Sequence, residues 1–430
     1  MVSRLYAKWM YAWETALTTR DSNRVERPLE WGFDHLADFG GEEAAAAVER
    51  GEVSALEAMV ALNDRIVATP HEFFDYGSPT DFRIEQHFPE LYPTNVRPET
   101  LEQEREWKRR AEVGELRKVP FLRFSSAVST PYPENDVVNA RWYEAPRAPG
   151  IREQGLGIRE GNGDGGGGAP KQAMIVMPQW NADAFSHNAI CEMFNWFGVS
   201  CLRLSKPYHD VRRPAELERS DYAVSANVGR TIAACRQAVV DIRSCVDWLE
   251  SEGYTQIGVM GTSLGSAYAF IAAAMDPRLR VCAFNHASTQ FGDVVWTGQS
   301  TRHIKAAFEH AGLTQDEVRA MFAGVSPMSF MEAFAKTGEA RWAGDVKRRT
   351  LVVYAPYDLT FVVKYSLEVL ENFSAHGVDY VAKVLPCGHY TMGETPYKYL
   401  DGWYLGTFIR EAFKVLRSCA DDEVLRGLRA

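Results

Sequence analysis

Between residues 173 and 418 short apolar runs alternate with amphipathic stretches, and that rhythm limits the fold more than any other feature of the chain. "AMIVMPQW", "SCLRLSKPY", "QIGVMGTS", "RVCAFNHAS", "TLVVYAPYD" and "DYVAKVLPCGH" read as buried strands. "AFSHNAICEMFNWFG", "NVGRTIAACRQAVVDIRSCVDWLES", "LGSAYAFIAAAM", "TFVVKYSLEVLENFSAHG" and "KYLDGWYLGTFIREAFKVLRS" read as the helices that follow strands. Strands that alternate with helices pair in parallel through right-handed crossovers. The expected class is α/β, a doubly wound, mostly parallel sheet with an inserted helical cap and an N-terminal helical extension.

Two domains are expected, an extension over 1–115 and an α/β domain over 116–430. The α/β domain opens with "FLRFSSAVS" and "DVVNARWYEA", a leading hairpin. Its loop at 147–172 contains four consecutive glycines, Gly165 to Gly168, and is expected to be flexible. Neither a Lys-Ser/Thr pair nor a helix follows directly, so this is not a phosphate cradle. The cap is placed at 289–349, where "SPMSFMEAFAKTG" offers Ser326 as N-cap, Pro327 at the first helical position and Gly338 as stop. Met321, Phe322, Met328, Phe330, Met331 and Phe334 are expected to pack the cap onto the body, with some lining an acyl pocket.

In the extension, "GGEEAAAAVERGEVSALEAMVALNDRIVA" gives two helices separated by Gly51. Leu5, Trp9, Trp13 and Leu17 recur every four residues, one face of a helix packed on the body or on a second subunit, with a membrane-surface anchor as the alternative. Arg4, Lys8 and Glu14 interrupt any export signal. Nothing in residues 1 to 115 carries an obvious chemical motif; covering the pocket mouth and making a homodimer are its two expected roles.

Composition narrows the partners. The 430 residues carry 47 basic and 57 acidic groups, a net charge of -10, with no dense Lys/Arg run. This argues against nucleic acid or an anionic membrane and for a small substrate. No apolar run is long enough to span a bilayer. The seven cysteines are odd in number and scattered through apolar runs, so they read as buried thiols in a reducing, cytoplasmic setting. No metal or cofactor is expected.

A parallel sheet presents its reactive groups at the carboxyl ends of its strands. Ser263 follows "QIGVMGT", Asp358 follows "TLVVYAPY" and His389 follows "DYVAKVLPCG". Ser263 lies in G-T-S-L-G, where Gly261 and Gly265 provide the small residues that a sharp strand-to-helix turn requires. A serine hydroxyl needs a base, and the base needs a carboxylate to fix its tautomer. His389 and Asp358 supply them. Asp293 is a competing acid. The oxyanion is expected to take one N–H from Leu264 and a second from Trp180 or Gln179, where Pro178 and Gln179 stand in place of the usual His-Gly pair. His209, Arg212 and Asn285 are substrate-binding candidates, with Tyr208 and His286 beside them.

Through "MPQWNADAF", "GTSLG", "APYD" and "PCGHY", the chain from about residue 120 to 418 resembles the α/β-hydrolase superfamily. "LSKPYHDVRRP" and the long helix after it are similar to bacterial esterases near the dienelactone-hydrolase and acetylesterase branch, and to the α/β-hydrolase-domain family eighteen. The resemblance implies ester, thioester or amide hydrolysis without a cofactor. The expected function is a serine hydrolase that cleaves a small-molecule carboxylic ester through an acyl-enzyme. The alternatives are an acyltransferase using the same triad, or a non-catalytic binding protein on a hydrolase frame.

Overall fold

The computed structural model describes residues 2–20, 23–91, 101–146, 171–339 and 347–427. Its nine strands are β1 (Arg83–His87), β2 (Val119–Ser125), β3 (Val137–Tyr143), β4 (Lys171–Met177), β5 (Ser200–Leu204), β6 (Tyr254–Thr262), β7 (Leu279–Asn285), β8 (Arg349–Tyr354) and β9 (Tyr380–Val384). They form one sheet in the order β1-β2-β3-β5-β4-β6-β7-β8-β9. β1, β2, β3 and β5 pair antiparallel in succession, and every pair from β5 across to β9 is parallel. Reversal of strand order around β4 leaves a crevice at the carboxyl ends, where such sheets bind ligands.

The central strands are apolar on both faces because helices cover both. Along β4, Ala173, Ile175 and Met177 enter one core while Met174 and Val176 enter the other. The first core lies under α7 (Val228–Ser251) and α8 (Leu264–Met275), and the second under α6 (Asn188–Trp196) and α14 (Tyr397–Gly427). Helix α13 (Val363–Ala375) joins β8 to β9, as the alternation predicts. Between β7 and β8, residues 289–339 fold as α9 (Phe291–Thr297), α10 (Arg302–His310), α11 (Gln315–Ala320) and α12 (Met331–Glu339), with short 3-10 turns between them. The hydroxyl of Ser326 caps α9, accepting from the N–H of Phe291 at 3.0 Å, and Gly338 lies inside α12 rather than stopping it.

The glycine-rich stretch falls outside the described residues from 147 to 170, while Lys171 and Gln172, assigned to the same loop, begin β4. The N-terminal segment contains α1 (Val2–Thr18), α2 (Gly41–Glu49), α3 (Ala55–Ala68) and α4 (Pro70–Phe73); α5 (Leu101–Glu112) follows β1. It is not wholly helical, because β1 pairs with β2 across the expected boundary at residue 115. It shares the main core as well, contributing Leu36, Met59, Ile66, Phe73 and Phe74.

The buried face of α1 also departs from expectation. Leu5 is 64% exposed and Trp9 51%, whereas Met10, Glu14 and Thr18, likewise one turn apart, are fully buried. α1 packs on the second core through Met10, Tyr6 and Trp13 and on the loop after β9, whose Tyr390 and Thr391 N–H groups Glu14 accepts, so a mixed stripe faces inward and part of the apolar stripe faces out. Among the described residues no helix is long and apolar enough to cross a membrane. Six cysteines, Cys191, Cys201, Cys235, Cys245, Cys282 and Cys387, are buried free thiols.

Candidate active site

β6 ends at Thr262 and α8 begins at Leu264, so Ser263 alone makes the turn, with φ at 56° and ψ at -121°. A residue with a Cβ is rarely held there, and such strain costs on the order of 1–3 kcal/mol. Packing enforces it. A Cβ on Gly261 would lie 2.1 Å from the Gly265 carbonyl oxygen, and one on Gly265 would lie 2.3 Å from that of Met177. The two glycines therefore let strand and helix approach closely enough to force the serine outward. Its own N–H donates to the Asn285 carbonyl at 2.8 Å.

Ser263 Oγ lies 2.9 Å from His389 Nε2, and His389 Nδ1 lies 2.8 Å from Asp358 Oδ2. Since a carboxylate only accepts, Nδ1 carries the proton and Nε2 presents its lone pair to the serine hydroxyl. The Phe361 ring stacks on the imidazole at 5.2 Å and fixes its plane. Asp358 is itself held by the N–H groups of Thr360 and Phe361, which donate to Oδ1 at 2.7 and 2.6 Å.

A second histidine joins this group. His286 Nδ1 lies 2.9 Å from the same Asp358 Oδ2, and the two imidazole centroids are 4.6 Å apart. Burial alone would raise the Asp358 carboxyl, but the charge of His389 and the hydrogen bonds from His286 and His389 hold it well below the carboxylate range. Burial pulls His389 down, yet the charge and hydrogen bond of Asp358, with Glu14 adding to them, leave it above its ordinary value. His286 is lowered by burial and by the charge of His389, against Asp358. The ligand atoms of His286, Asp358 and His389 lie within 4.8 Å of one another, close enough to hold a metal ion. In the hydrogen-bonded arrangement both Nδ1 atoms are protonated, which leaves no lone pair there for an ion.

Ser263 and His389 open onto a cavity of about 1140 Å³. Gln179, Trp180 and Leu264 also line it. Leu264 is the first residue of α8, so its N–H is one of those a helix leaves without an intrahelical acceptor. The Trp180 indole donates to the Ser220 carbonyl at 2.9 Å, which leaves the backbone N–H groups of this loop as the oxyanion candidates. Aromatic walls come from Phe185, Phe291, Phe361, Tyr390 and Trp403.

Three sequence candidates lie behind the wall. His209 is buried, with Nδ1 against the Pro207 carbonyl at 2.8 Å and Nε2 accepting from the Asn181 N–H at 3.1 Å; it braces the loop that lines the cavity. Arg212 is fully buried and bound to Asp241 at 2.8 Å, and Asn285 donates to Asp401 at 2.9 Å. None of the three lines the cavity, although Asp401 does. A charged loop after a strand reads the same in sequence whether it faces a pocket or folds back on the body. Tyr208 is likewise buried. Asp293 is taken by Arg319 and Gln315, at 2.9 and 2.7 Å. Met321, Phe322, Met328, Phe330, Met331 and Phe334 pack in or against the main core and none of them lines the cavity, whereas Phe291, Val294, Val295 and Pro327 of the cap do.

Three contributors escaped the sequence reading. His187 lines the cavity, bonds Thr262 Oγ1 at 2.9 Å and is held neutral by burial, its pKa lowered to about 3. Arg20 also lines the cavity, and Glu14 reaches the loop carrying His389. The last two come from the N-terminal segment, where no motif announces them.

Residues 187–383 match the family described as alpha/beta hydrolase domain containing 18. An uncharacterized 31.7 kDa protein of the traX-finO intergenic region of Escherichia coli is 32% identical over 106 residues, covering 23% of this chain and 36% of that protein, so the match spans about a third of that relative. Acetyl xylan esterase 1 from Thermoanaerobacterium sp. JW/SL YS485 superposes with a TM-score of 0.51 at 13% identity, covering 82% of this chain and 93% of that one. Acetyl xylan esterase from Paenibacillus sp. R4 gives 0.46 at 12% identity, over 81% and 93%. The chain therefore has the α/β-hydrolase fold, and its residues 187–383 resemble that family.

Proposed function

We propose that this chain is a serine hydrolase of carboxylic esters, with Ser263 as nucleophile, His389 as base and acid, and Asp358 as the carboxylate that orients His389. One observation carries the reading: a strained serine on a strand-to-helix elbow, hydrogen-bonded to a histidine that is hydrogen-bonded to a buried aspartate, at the wall of an open cavity.

The chemistry follows from the tautomer. His389 Nε2 takes the Ser263 proton as Oγ attacks the ester carbonyl, and Asp358 stabilises the imidazolium that forms. The Leu264 N–H and a backbone N–H of Gln179 or Trp180 receive the oxyanion, each lowering the barrier by about 3 kcal/mol. His389 then protonates the leaving alcohol, and a water activated by His389 releases the acid from Ser263. A cavity of about 1140 Å³ accommodates more than a small acyl ester. Acyl transfer to an alcohol would use the same steps with a different acceptor, and a non-catalytic role would not require the strained serine.

The test is turnover of a panel of short- and long-acyl esters by the wild-type chain and by Ser263→Ala. The proposal expects hydrolysis of at least one ester and loss of it by roughly 10⁴-fold or more in the variant. Equal turnover by both proteins would remove Ser263 from the mechanism.

A further inference from the structure

We infer that Glu14 is a positioning residue for His389, a buried carboxylate on α1 that clamps the histidine loop and makes the N-terminal helix a working part of the site. The inference rests on the serine-hydrolase reading and extends it to a segment that carries no motif.

Glu14 is fully buried, and among the described residues no lysine or arginine pairs with it. Its two oxygens divide between two donors: Oε1 accepts the N–H of Tyr390 at 2.8 Å and Oε2 the N–H of Thr391 at 2.9 Å. These are the two residues immediately after His389. On the other side of the histidine, a Cβ on Gly388 would fall 2.5 Å from Glu14 Oε2, so the glycine of "PCGHY" gives the carboxylate room to approach. The loop is closed around it by the Gly388 N–H donating to Thr391 Oγ1 at 2.7 Å.

The rest of α1 is arranged to deliver Glu14 there. Tyr6 donates its hydroxyl to the Pro386 carbonyl at the start of the loop, and Arg24, just beyond the helix, donates to the Tyr390 hydroxyl at 3.2 Å. A helix packed only for stability would place an apolar side chain at this position, because burying a carboxylate is costly unless its hydrogen bonds compensate. Those compensating bonds go to the backbone of the histidine loop. The Glu14 charge also reaches His389, acting in the same direction as that of Asp358.

That charge distinguishes positioning from packing. His389 is faced by Asp358, His286 and Glu14; Glu14 is faced by His389, Asp358 and the Cys387 thiol, which burial and Glu14 push up and keep neutral. Burial pushes the Glu14 carboxyl up and the Tyr390 and Thr391 N–H groups hold it down; where it is ionised, removing its charge lowers the pH at which His389 loses its proton.

The experiment follows the rate of covalent labelling by a fluorophosphonate, by intact mass, between about pH 5 and pH 9. It uses the full-length wild type, Ser263→Ala, Glu14→Gln, Glu14→Asp and Met10→Ala. Met10→Ala is the packing control, since it loosens α1 without touching the loop donors. Glu14→Gln is expected to label at least about tenfold more slowly than wild type, with its midpoint moved to lower pH. Glu14→Asp is expected to label slowly with an unmoved midpoint, and Met10→Ala, which loosens the same helix but keeps the Glu14 charge, to melt earlier with an unmoved midpoint. A Glu14→Gln protein with wild-type rate and midpoint overturns the inference, as does one that changes only as Met10→Ala does. If Glu14→Gln does not fold, Glu14→Asp decides, and a wild-type rate there overturns it. Wild-type protein that takes no label at Ser263 sinks the serine-hydrolase reading itself, a result separable from failure of the Glu14 arm.

Discussion

Asp358 Oδ2 receives two imidazoles, His389 Nδ1 at 2.8 Å and His286 Nδ1 at 2.9 Å, but only His389 also reaches Ser263. The two histidines are therefore not equivalent. His389→Ala removes the proposed base and is expected to reduce kcat/KM by roughly 10⁴-fold or more. His286→Ala removes a donor from the aspartate and is expected to cost no more than about tenfold in kcat/KM. Steady-state kinetics of the two variants on one ester checks the order, and a larger loss at His286 would reverse the assignment.

The pH profile follows from the same contacts. His389 must be neutral to accept the serine proton, and its pKa in the folded chain lies above the ordinary 6.5. The rise of kcat/KM with pH should therefore have its midpoint above 6.5. Stability moves the opposite way: the contribution of a raised histidine is complete below its unfolded value and is lost as pH rises through the folded one. Asp358, depressed in the fold, contributes above its unfolded value and loses that contribution as pH falls through the folded one. Rate measurements and thermal melts across the same buffers read both effects.

Arg212 stands against Asp241 at 2.8 Å with both side chains sealed from solvent. Arg212→Ala leaves an uncompensated buried carboxylate and is expected to cost about 3–5 kcal/mol of stability. Denaturant unfolding measures this. The KM of the surviving folded fraction should stay near wild type, because Arg212 does not line the cavity.

Asp401 does line the cavity, and burial, opposed by the Asn285 hydrogen bond, pushes its pKa up to about 7. A raised carboxyl favours the fold while it is protonated and loses that advantage as pH rises through the folded value. Asp401→Asn keeps an acceptor for Asn285 and cannot ionise. It is expected to raise the melting temperature more above pH 7 than near pH 5, by a difference equivalent to about 2 kcal/mol. Melts at the two pH values check this.

Much of the sheet was legible because each parallel strand is a short apolar run with a helix behind it, and the order of Ser263, Asp358 and His389 at strand ends is visible in one dimension. What the sequence hid lies at right angles to the chain. His286 stands one residue past β7, and nothing in "FNHAS" tells whether its ring turns toward Asp358 or into the core. Arg212 and His209 sit in a polar loop whose fate depends on Asp241 and Asn181, distant in sequence or on another strand's loop. Glu14 counts in the sequence only as a charge that interrupts any export signal, and its partners lie 376 and 377 residues away. Periodicity identifies a helix; it does not identify the backbone donors that decide which face turns inward.

The most direct measurement is intact-protein mass spectrometry after fluorophosphonate treatment, with peptide mapping and His389→Ala as control. The account predicts a single adduct on Ser263 in the wild-type chain and none in the control. An adduct elsewhere, or labelling of Ser263 that does not depend on His389, would contradict it.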